Sequence, residues 1–218
     1  MNYNKFFYIY PPRPIQTTKH TELGKYDDGQ FIAQPKYNGT CCVVFMNETE
    51  TIVMNRHNGK ITTDYSQVEF RGLYRPSGWM VLCGEFLNKN KKGENNQSFN
   101  IKFIVWDILV YKGEYLIGMT MLERLKLLDK LYPCSKISVE GNKMETFHHL
   151  CFTSYKNIYV APYYEGYFEE LYDSIVKTDL YEGLVLKRKN AKLTIGLNEK
   201  NNNEWQIKCR KPTKNYQF

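Results

Sequence analysis

The stretch Gln34-Pro35-Lys36-Tyr37-Asn38-Gly39-Thr40 places a single lysine directly before an Asn-Gly turn. Residues 31–33 before it are apolar, and residues 41–46 after it have the composition of a buried strand. The pattern predicts two strands joined by a turn, with Lys36 at the end of the first. A turn of this kind is common, but a lysine beside a glycine, where a ligand can approach the backbone, is also a place where a site can form. The motifs further along the chain favour the second interpretation.

Length and composition indicate one large domain. The chain has 218 residues, of which 42% are hydrophobic, which is enough for a substantial core. A β-meander is predicted over residues 31–63, and amphipathic helices are predicted over residues 120–131 and 167–177, the first opening with a Thr-x-x-Glu capping box. Several strands with two or three helices favour an α+β domain built on antiparallel sheets.

The N-terminal part of the chain is rich in proline. Residues 1–30 contain Tyr10-Pro11-Pro12-Arg13-Pro14, whose prolines exclude a helix and predict an extended arm over the surface of the same domain. Further on, a short helix is predicted within residues 65–74, a polar loop that closes over a ligand within 88–98, and a long apolar strand over 99–110.

Two classes of protein are disfavoured by the sequence. No apolar run has the length of a membrane span, and the first residues lack the pattern of a secretory signal. The six cysteines include no C-x-x-C pair and no zinc spacing, so reduced core thiols are expected. We therefore expect a cytoplasmic, monomeric protein that does not contact membranes.

Positive charge is concentrated near the C-terminus. Residues 187–218 contain nine Lys or Arg and two acids, so this segment accounts for the net charge of +7 of the whole chain. Such a concentration suggests a polyanionic partner, either nucleotide phosphates or nucleic acid. A solvated lysine-rich tail is the alternative, but the apolar residues interleaved with the cations argue against it.

Charged residues lie at the ends of otherwise apolar strands along the whole chain. Burying such groups is costly unless they are paired or bound to something. Each alone is more commonly part of a surface ion pair, but together the five cations and two carboxylates suit a nucleoside triphosphate with its metal ion. In chain order they are Lys36, Arg56, Glu85, Glu182, Lys187, Lys208 and Arg210.

This ordered set resembles the motifs of the covalent nucleotidyltransferase superfamily, which includes ATP-dependent DNA ligases, RNA ligases and mRNA capping enzymes. Lys36-Tyr37-Asn38-Gly39 resembles motif I, whose lysine becomes linked to the nucleotide. Arg56-His57-Asn58-Gly59 is similar to motif Ia, which binds ribose or the 5′-phosphate of the strand. Leu82-Cys83-Gly84-Glu85-Phe86 resembles motif III, whose glutamate contacts the ribose.

The second half of the chain carries the remaining motifs. Phe103-Ile104-Val105-Trp106-Asp107 resembles motif IIIa, in which an aromatic residue, here Trp106, stacks on the base. Glu182-Gly183-Leu184-Val185-Leu186-Lys187 is a close match to motif IV, with Glu182 as the metal-directed carboxylate. Ile207-Lys208-Cys209-Arg210 resembles motif V, whose cations contact the α-phosphate.

The resemblance implies a fold, a reaction and a set of site residues. The implied fold is α+β, with two antiparallel sheets flanked by helices in an ATP-grasp-like nucleotidyltransferase domain over residues 31–218. The chain stops soon after motif V, so no C-terminal OB-fold is expected within these residues; the protein does without that domain, the domain has been removed, or a partner supplies it. The implied cofactors are ATP and Mg²⁺ or Mn²⁺, with Lys36 as nucleophile and Glu182 as metal ligand. The nucleotide-binding residues are Gln34, Arg56, Glu85, Trp106, Lys187, Lys208 and Arg210.

The implied activity is ATP-dependent polynucleotide ligation. Lys36 would take AMP from ATP and pass it to a 5′-phosphate in nicked or broken duplex DNA or RNA, and a 3′-OH would then seal the break. Asn38 stands where the family usually has Asp, and Cys41 stands where DNA ligases commonly have Arg. The Arg56 turn and the Glu123-Arg124 helix favour DNA narrowly. The alternatives are an RNA ligase, a GTP-using capping enzyme and a non-catalytic nucleic-acid-binding relic.

Overall fold

The computed structural model describes residues 1–88, 91–92, 98–133, 151–152, 157–196 and 201–212. The strands are β1 Arg13–Thr17, β2 Phe31–Tyr37, β3 Thr40–Met46, β4 Thr51–Asn55, β5 Met80–Leu87, β6 Lys91–Lys92, β7 Ser98–Phe99, β8 Lys102–Tyr111, β9 Glu114–Tyr115, β10 Cys151–Phe152, β11 Ile158–Val160, β12 Tyr181–Arg188 and β13 Asn202–Arg210, and the α-helices are α1 Met121–Leu131 and α2 Phe168–Ile175. Neither helix has the length or the apolar character needed to cross a membrane, and the same holds for every described helical segment.

Two β-sheets form the framework. The larger has the strand order β10-β11-β8-β5-β3-β4, with β9 paired to β8, and the smaller has the order β1-β13-β12-β2. The prediction of wholly antiparallel sheets was wrong at one pair in each, because β11 lies parallel to β8 and β1 lies parallel to β13. Both parallel partners are far apart in sequence, and only a long connection lets the chain return in the same direction.

The N-terminal residues form more than the predicted surface arm. Strand β1 is an edge strand of the smaller sheet, and residues His20–Tyr26 form a 3₁₀ helix. Phe6 packs against Phe45 of the larger sheet and against Trp79, which directly precedes β5, with ring centroids 5.4 and 5.5 Å away. The arm therefore crosses from one sheet to the other, which the proline pattern alone did not indicate.

Most predicted elements lie close to their observed positions. The predicted capping box opens α1, where the Thr120 hydroxyl accepts from the Glu123 backbone N–H and the Glu123 carboxylate accepts from the Thr120 backbone N–H. Helix α2 is shorter than predicted, and the helix predicted within 65–74 is only the 3₁₀ turn Phe70–Leu73. The predicted loop 88–98 falls largely outside the described residues.

The fold has two hydrophobic cores. In the first, the larger sheet packs against α1 and the N-terminal aromatic residues. In the second, the smaller sheet packs against α2 and the 3₁₀ helix that contains Leu23, together with Leu87 and Ile104 of the larger sheet. Trp106 contacts both clusters. The two sheets thus meet where Trp106 lies, and the open space beside it becomes the cleft described below.

A buried ion pair joins α1 to β8 beside that cleft. Arg124 Nε donates to Asp107 Oδ1 at 2.9 Å and Arg124 Nη2 donates to Asp107 Oδ2 at 3.0 Å, and both side chains are fully buried. Arg124 also donates to the Met119 carbonyl at 2.9 Å. This two-pronged geometry satisfies charges that burial would otherwise penalise strongly.

We expect Arg124→Ala to lower the free energy of unfolding by about 3–5 kcal/mol, because it leaves the Asp107 carboxylate buried without its partner. Denaturant unfolding followed by circular dichroism measures the change. The double variant Arg124→Met with Asp107→Leu, which removes both charges, should recover most of the loss. If Arg124→Ala alone were as stable as the wild type, the Asp107 carboxylate would need no cationic partner.

Candidate active site

A cleft of about 530 Å³ lies between the two sheets. Side chains from β2, β12 and β13 of the smaller sheet form one wall, and residues of the larger sheet together with the turn after β4 form the other. All nine residues predicted for the site line it: Gln34, Lys36, Arg56, Glu85, Trp106, Glu182, Lys187, Lys208 and Arg210. The structure therefore brings together residues that are up to 176 positions apart in the sequence.

Strand alternation explains one wall of the cleft. On β13, residues Gln206, Lys208 and Arg210 face the cleft, while Ile207 and Cys209 between them are in the core of the smaller sheet. Successive side chains of a strand point to opposite faces, so a polar residue at every second position makes a polar wall on an apolar support.

A β-bulge turns Glu182 into the cleft. Tyr181 pairs with Tyr37 and Gly183 pairs with Lys36, so Glu182 is the extra residue in β12. Without the bulge Glu182 would share a face with the buried Leu184. Gly183 has φ of +134°, and a Cβ there would lie 2.0 Å from the Cys209 carbonyl oxygen. Only glycine fits this backbone, so motif IV requires Gly183 in order to aim Glu182.

Lys36 and Glu182 form the centre of the site. The Lys36 amine donates to Glu182 Oε2, and Arg210 Nη2 lies 3.6 Å from the same oxygen. The Lys36 side chain is 20% exposed, so it is partly desolvated but reachable from the cleft. The lysine thus points at a carboxylate within the cleft rather than into bulk solvent.

Trp106 and Lys187 form the other end of the cleft. Trp106 is left without a partner at a bulge in β8, because Cys83 pairs with Asp107 and Gly84 pairs with Val105. The Lys187 amine lies 4.7 Å from the centre of the Trp106 ring and donates to Gln34 Oε1 at 2.6 Å. Burial lowers the pKa of Lys187 to about 8, and the cation–π contact is one of the few interactions available to its charge there.

The hydrogen bond with Lys187 fixes the orientation of the Gln34 side-chain amide. An ammonium group only donates, so the Gln34 oxygen must face Lys187 and its NH₂ must face away. That NH₂ is buried, and no hydrogen-bond partner for it is found among the described residues. Such a buried NH₂ group beside an aromatic ring can donate a hydrogen bond to an acceptor atom of a flat heterocycle.

Glu85 occupies the wall of the larger sheet. Burial raises the pKa of Glu85 to about 7; the Lys36 amine opposes the rise and the Glu182 carboxylate adds to it. Glu85 of β5 pairs with Cys41 of β3, and Cys41 is the residue that stands where DNA ligases commonly have an arginine. The site therefore contains a carboxyl group whose pKa lies well above its ordinary value.

The remaining predicted cations crowd the same cleft. Arg56 follows β4 in a turn fixed by Asn55, whose side-chain oxygen accepts from the backbone N–H groups of His57 and Gly59 at 2.8 and 3.0 Å. Burial lowers the pKa of Lys208, and Arg210, Arg13, Lys36 and Arg56 lower it further by repulsion. This repulsion shows that the cations form one electrostatic group.

Several cleft residues were not predicted. Arg13 and the prolines around it line the cleft, and so do Gln206 and His57. Alternation along β13 could have indicated Gln206, which is two residues before Lys208. No local pattern placed Arg13 there, because its position follows from the parallel pairing of β1 with β13. Lys189 and Lys192, counted in the basic segment, do not line the cleft, and Lys189 pairs with Glu165 at 2.7 Å.

Comparison with known proteins identifies the fold. No protein-family model matches the sequence, and no curated protein matches it. The fold is similar to mycobacterial DNA ligase D complexed with ATP and MES, with a TM-score of 0.64 and 15% identity over 93% of this chain and 60% of that one. It is also similar to the ligase domain of LigD from M. tuberculosis, with a TM-score of 0.61 and 16% identity over 93% of this chain and 59% of that one.

A bacteriophage protein also has a similar fold. The ATP-dependent DNA ligase of bacteriophage T7, in complex with ATP, matches with a TM-score of 0.53 and 14% identity over 92% of this chain and 68% of that one. The chain thus shares its fold with these ATP-dependent DNA ligases, and this agrees with the class of fold that the resemblance in the sequence implied. It spans about three fifths of the length of the two mycobacterial structures.

The raised pKa of Glu85 predicts a pH-dependent stability. The unfolded carboxyl ionises near pH 4.5 and the folded one near pH 7, so the folded state loses stability as the pH rises between these values. Glu85→Gln should be more stable than the wild type by about 2–3 kcal/mol at pH 8, and this difference should vanish near pH 4. Denaturant unfolding at both pH values measures it.

The exposed residue Glu48 provides the control for this prediction, since Glu48→Gln removes an equal charge outside the cleft. Its stability relative to the wild type should change little between the two pH values. If Glu85→Gln were no more stable than the wild type at pH 8, ionisation of Glu85 would not destabilise the folded state, contrary to the prediction.

Proposed function

We propose that this protein is an ATP-dependent polynucleotide ligase that adenylates its own Lys36. The observation that carries the proposal is the Lys36 amine paired with Glu182 inside a cleft that also holds Trp106, Lys208 and Arg210. A nucleophile, a group of phosphate-binding cations and a ring for the base are the parts that nucleotidyl transfer requires. The ligase fold supports the same conclusion.

The two sheets provide opposite halves of a nucleotide site. Trp106 enters from the larger sheet and Val185 from the smaller one, so a base can lie between them in an ATP-grasp-like arrangement. Glu85 is placed to accept from ribose hydroxyl groups. Lys208 and Arg210, two residues apart on β13, would offset the charge that develops on the α-phosphate during transfer.

The chemistry of the first step follows from the ion pair. The unprotonated Lys36 amine attacks the α-phosphorus, a P–N bond forms, and the P–O bond to the β-phosphate breaks to release pyrophosphate. Attack requires that the Lys36 ammonium lose its proton and separate from Glu182. Glu182 is the nearest acceptor for that proton, so its carboxylate is a positioning group for the nucleophile as well as a candidate metal ligand.

The carboxylates of the cleft fit a hard divalent cation only in part. No cluster of three or more potential metal-binding side chains is found in the described part of the chain. Mg²⁺ commonly binds through one or two carboxylates together with substrate phosphates, and Glu182 and Glu85 match that mode. We propose that Glu182 holds Mg²⁺ or Mn²⁺ with the nucleotide; the ion would neutralise phosphate charge.

Lys36→Ala and Lys36→Arg should both abolish covalent labelling by α-labelled ATP, since neither retains an amine that can attack. Intact-mass analysis after incubation with ATP and Mg²⁺ should show one added AMP on the wild type only. Lys25→Ala, which removes an exposed lysine outside the cleft, is the matched control and should label normally. Full labelling of Lys36→Ala would show that another residue is the nucleophile.

Nucleic-acid binding should weaken steeply with salt, because the cleft presents several cations to phosphate. The affinity for nicked duplex should fall by roughly 100-fold between 50 and 200 mM salt if about four phosphates are contacted. Fluorescence anisotropy with labelled duplex measures the slope of log affinity against log salt concentration. Lys208→Ala should make this slope shallower by about one unit, which corresponds to the loss of one phosphate contact. An affinity that does not change with salt would contradict a phosphate-binding surface.

We favour DNA as the substrate, on the ligase fold and the Arg56 turn. Cys41 in place of the arginine common in DNA ligases favours RNA instead. Sealing of matched nicked DNA and nicked RNA duplexes decides between them. Labelling with GTP in place of ATP would indicate a capping guanylyltransferase, and the absence of labelling with either nucleotide would indicate a non-catalytic nucleic-acid-binding protein.

A further inference from the structure

The proline-rich stretch of residues 10–14, called the strap below, crosses from one sheet to the other at the cleft. On one side Tyr8 donates from its hydroxyl to the Asn55 carbonyl at 2.9 Å, next to the Arg56 turn. On the other side the strap continues into β1, which pairs with β13. The strap residues Pro11, Pro12, Arg13 and Pro14 all line the cleft.

The strap holds Arg13 in a restricted backbone conformation. Pro12 and Pro14 flank Arg13, and a residue that precedes a proline is confined to extended conformations. The Arg13 backbone N–H donates to the Asn201 carbonyl at 2.8 Å, and the Asn201 side chain donates to the Tyr10 carbonyl at 2.7 Å. Arg13 is therefore presented to the cleft at little further cost in backbone entropy.

The charge around Arg13 is unbalanced. The cleft is lined by Arg13, Lys36, Arg56, Lys187, Lys208 and Arg210, but its only lining carboxylates among the described residues are Glu85 and Glu182. Glu182 is already engaged by Lys36 and Arg210. Arg13 is the second-strongest source of repulsion on Lys208, after Arg210 and before Lys36. Cations crowded together in this way are accommodated best when an anion lies between them.

We propose that Arg13 is a further phosphate-binding residue, which holds a phosphate group next to the α-phosphate that Lys208 contacts. This inference rests on the proposed function for the identity of the ligand. The phosphate could be the β- or γ-phosphate of the nucleotide or a phosphate of the nucleic-acid strand, and a guanidinium binds either through paired N–H donors. No proton is transferred, because arginine remains charged throughout.

The first test is equilibrium binding, which does not require catalysis. Isothermal titration with α,β-methylene ATP and with AMP compares the wild type with Arg13→Ala and Arg13→Lys. If Arg13 holds the β- or γ-phosphate, Arg13→Ala should bind the triphosphate analogue about tenfold more weakly and AMP unchanged, with Arg13→Lys in between. Lys19→Ala, which removes an exposed cation of the same segment outside the cleft, should bind both normally.

The second test separates the two sources of phosphate. Sealing of a nicked duplex that already carries AMP on its 5′-phosphate bypasses the nucleotide, so a loss of about tenfold in this step alone would assign Arg13 to the strand. The inference would be overturned if Arg13→Ala left both nucleotide binding and the sealing of the adenylated nick unchanged. It would also be overturned if the variant bound AMP and the triphosphate analogue more weakly by the same factor. Failure of the wild type to form lysyl-AMP would instead count against the proposed function and leave the binding test valid.

Discussion

One extra residue in β12 places the Lys36–Glu182 ion pair in the cleft. The bulge at Glu182 moves a carboxylate from the buried face of the smaller sheet to the cleft, directly over the strand that carries Lys36. The backbone at Gly183 can follow this path only without a side chain. The contact between ammonium and carboxylate is therefore a consequence of backbone geometry, and the arrangement of the other cleft cations around it depends on the same register.

Strand alternation places Trp106 on the opposite wall. Ile104 pairs with the cleft residue Glu85, so Trp106, two residues further along β8, lies on the same face, beside the bulge between Val105 and Asp107. The buried pair of Asp107 and Arg124 anchors the strand immediately beside it. A bulge in the smaller sheet and regular alternation in the larger one thus bring Glu182 and Trp106 to the same cleft, and both residues stand on strands rather than on loops.

Several charges of the cleft are held at an energetic cost. Burial lowers the pKa of Lys187 and Lys208, while it raises the pKa of Glu85, so each of these groups carries its charge at a cost. Phosphate groups would remove most of that cost for the cations. The N-terminal strap adds the positive charge of Arg13 to the cleft and joins the two walls of the cleft. Residues 1–30 are therefore an integral part of the site.

The sequence by itself determined the strands, the capped helix and the set of charged residues, because hydrophobic periodicity, capping and motif spacing are local properties. It also gave the ligase-like class of fold through the order of the motifs. Only the tertiary structure decided that Glu182 faces the cleft, since a bulge depends on the register of two strands. It alone placed Arg13 in the site and made β1 and β11 parallel to their neighbours, because pairing between distant segments leaves no local trace in the sequence.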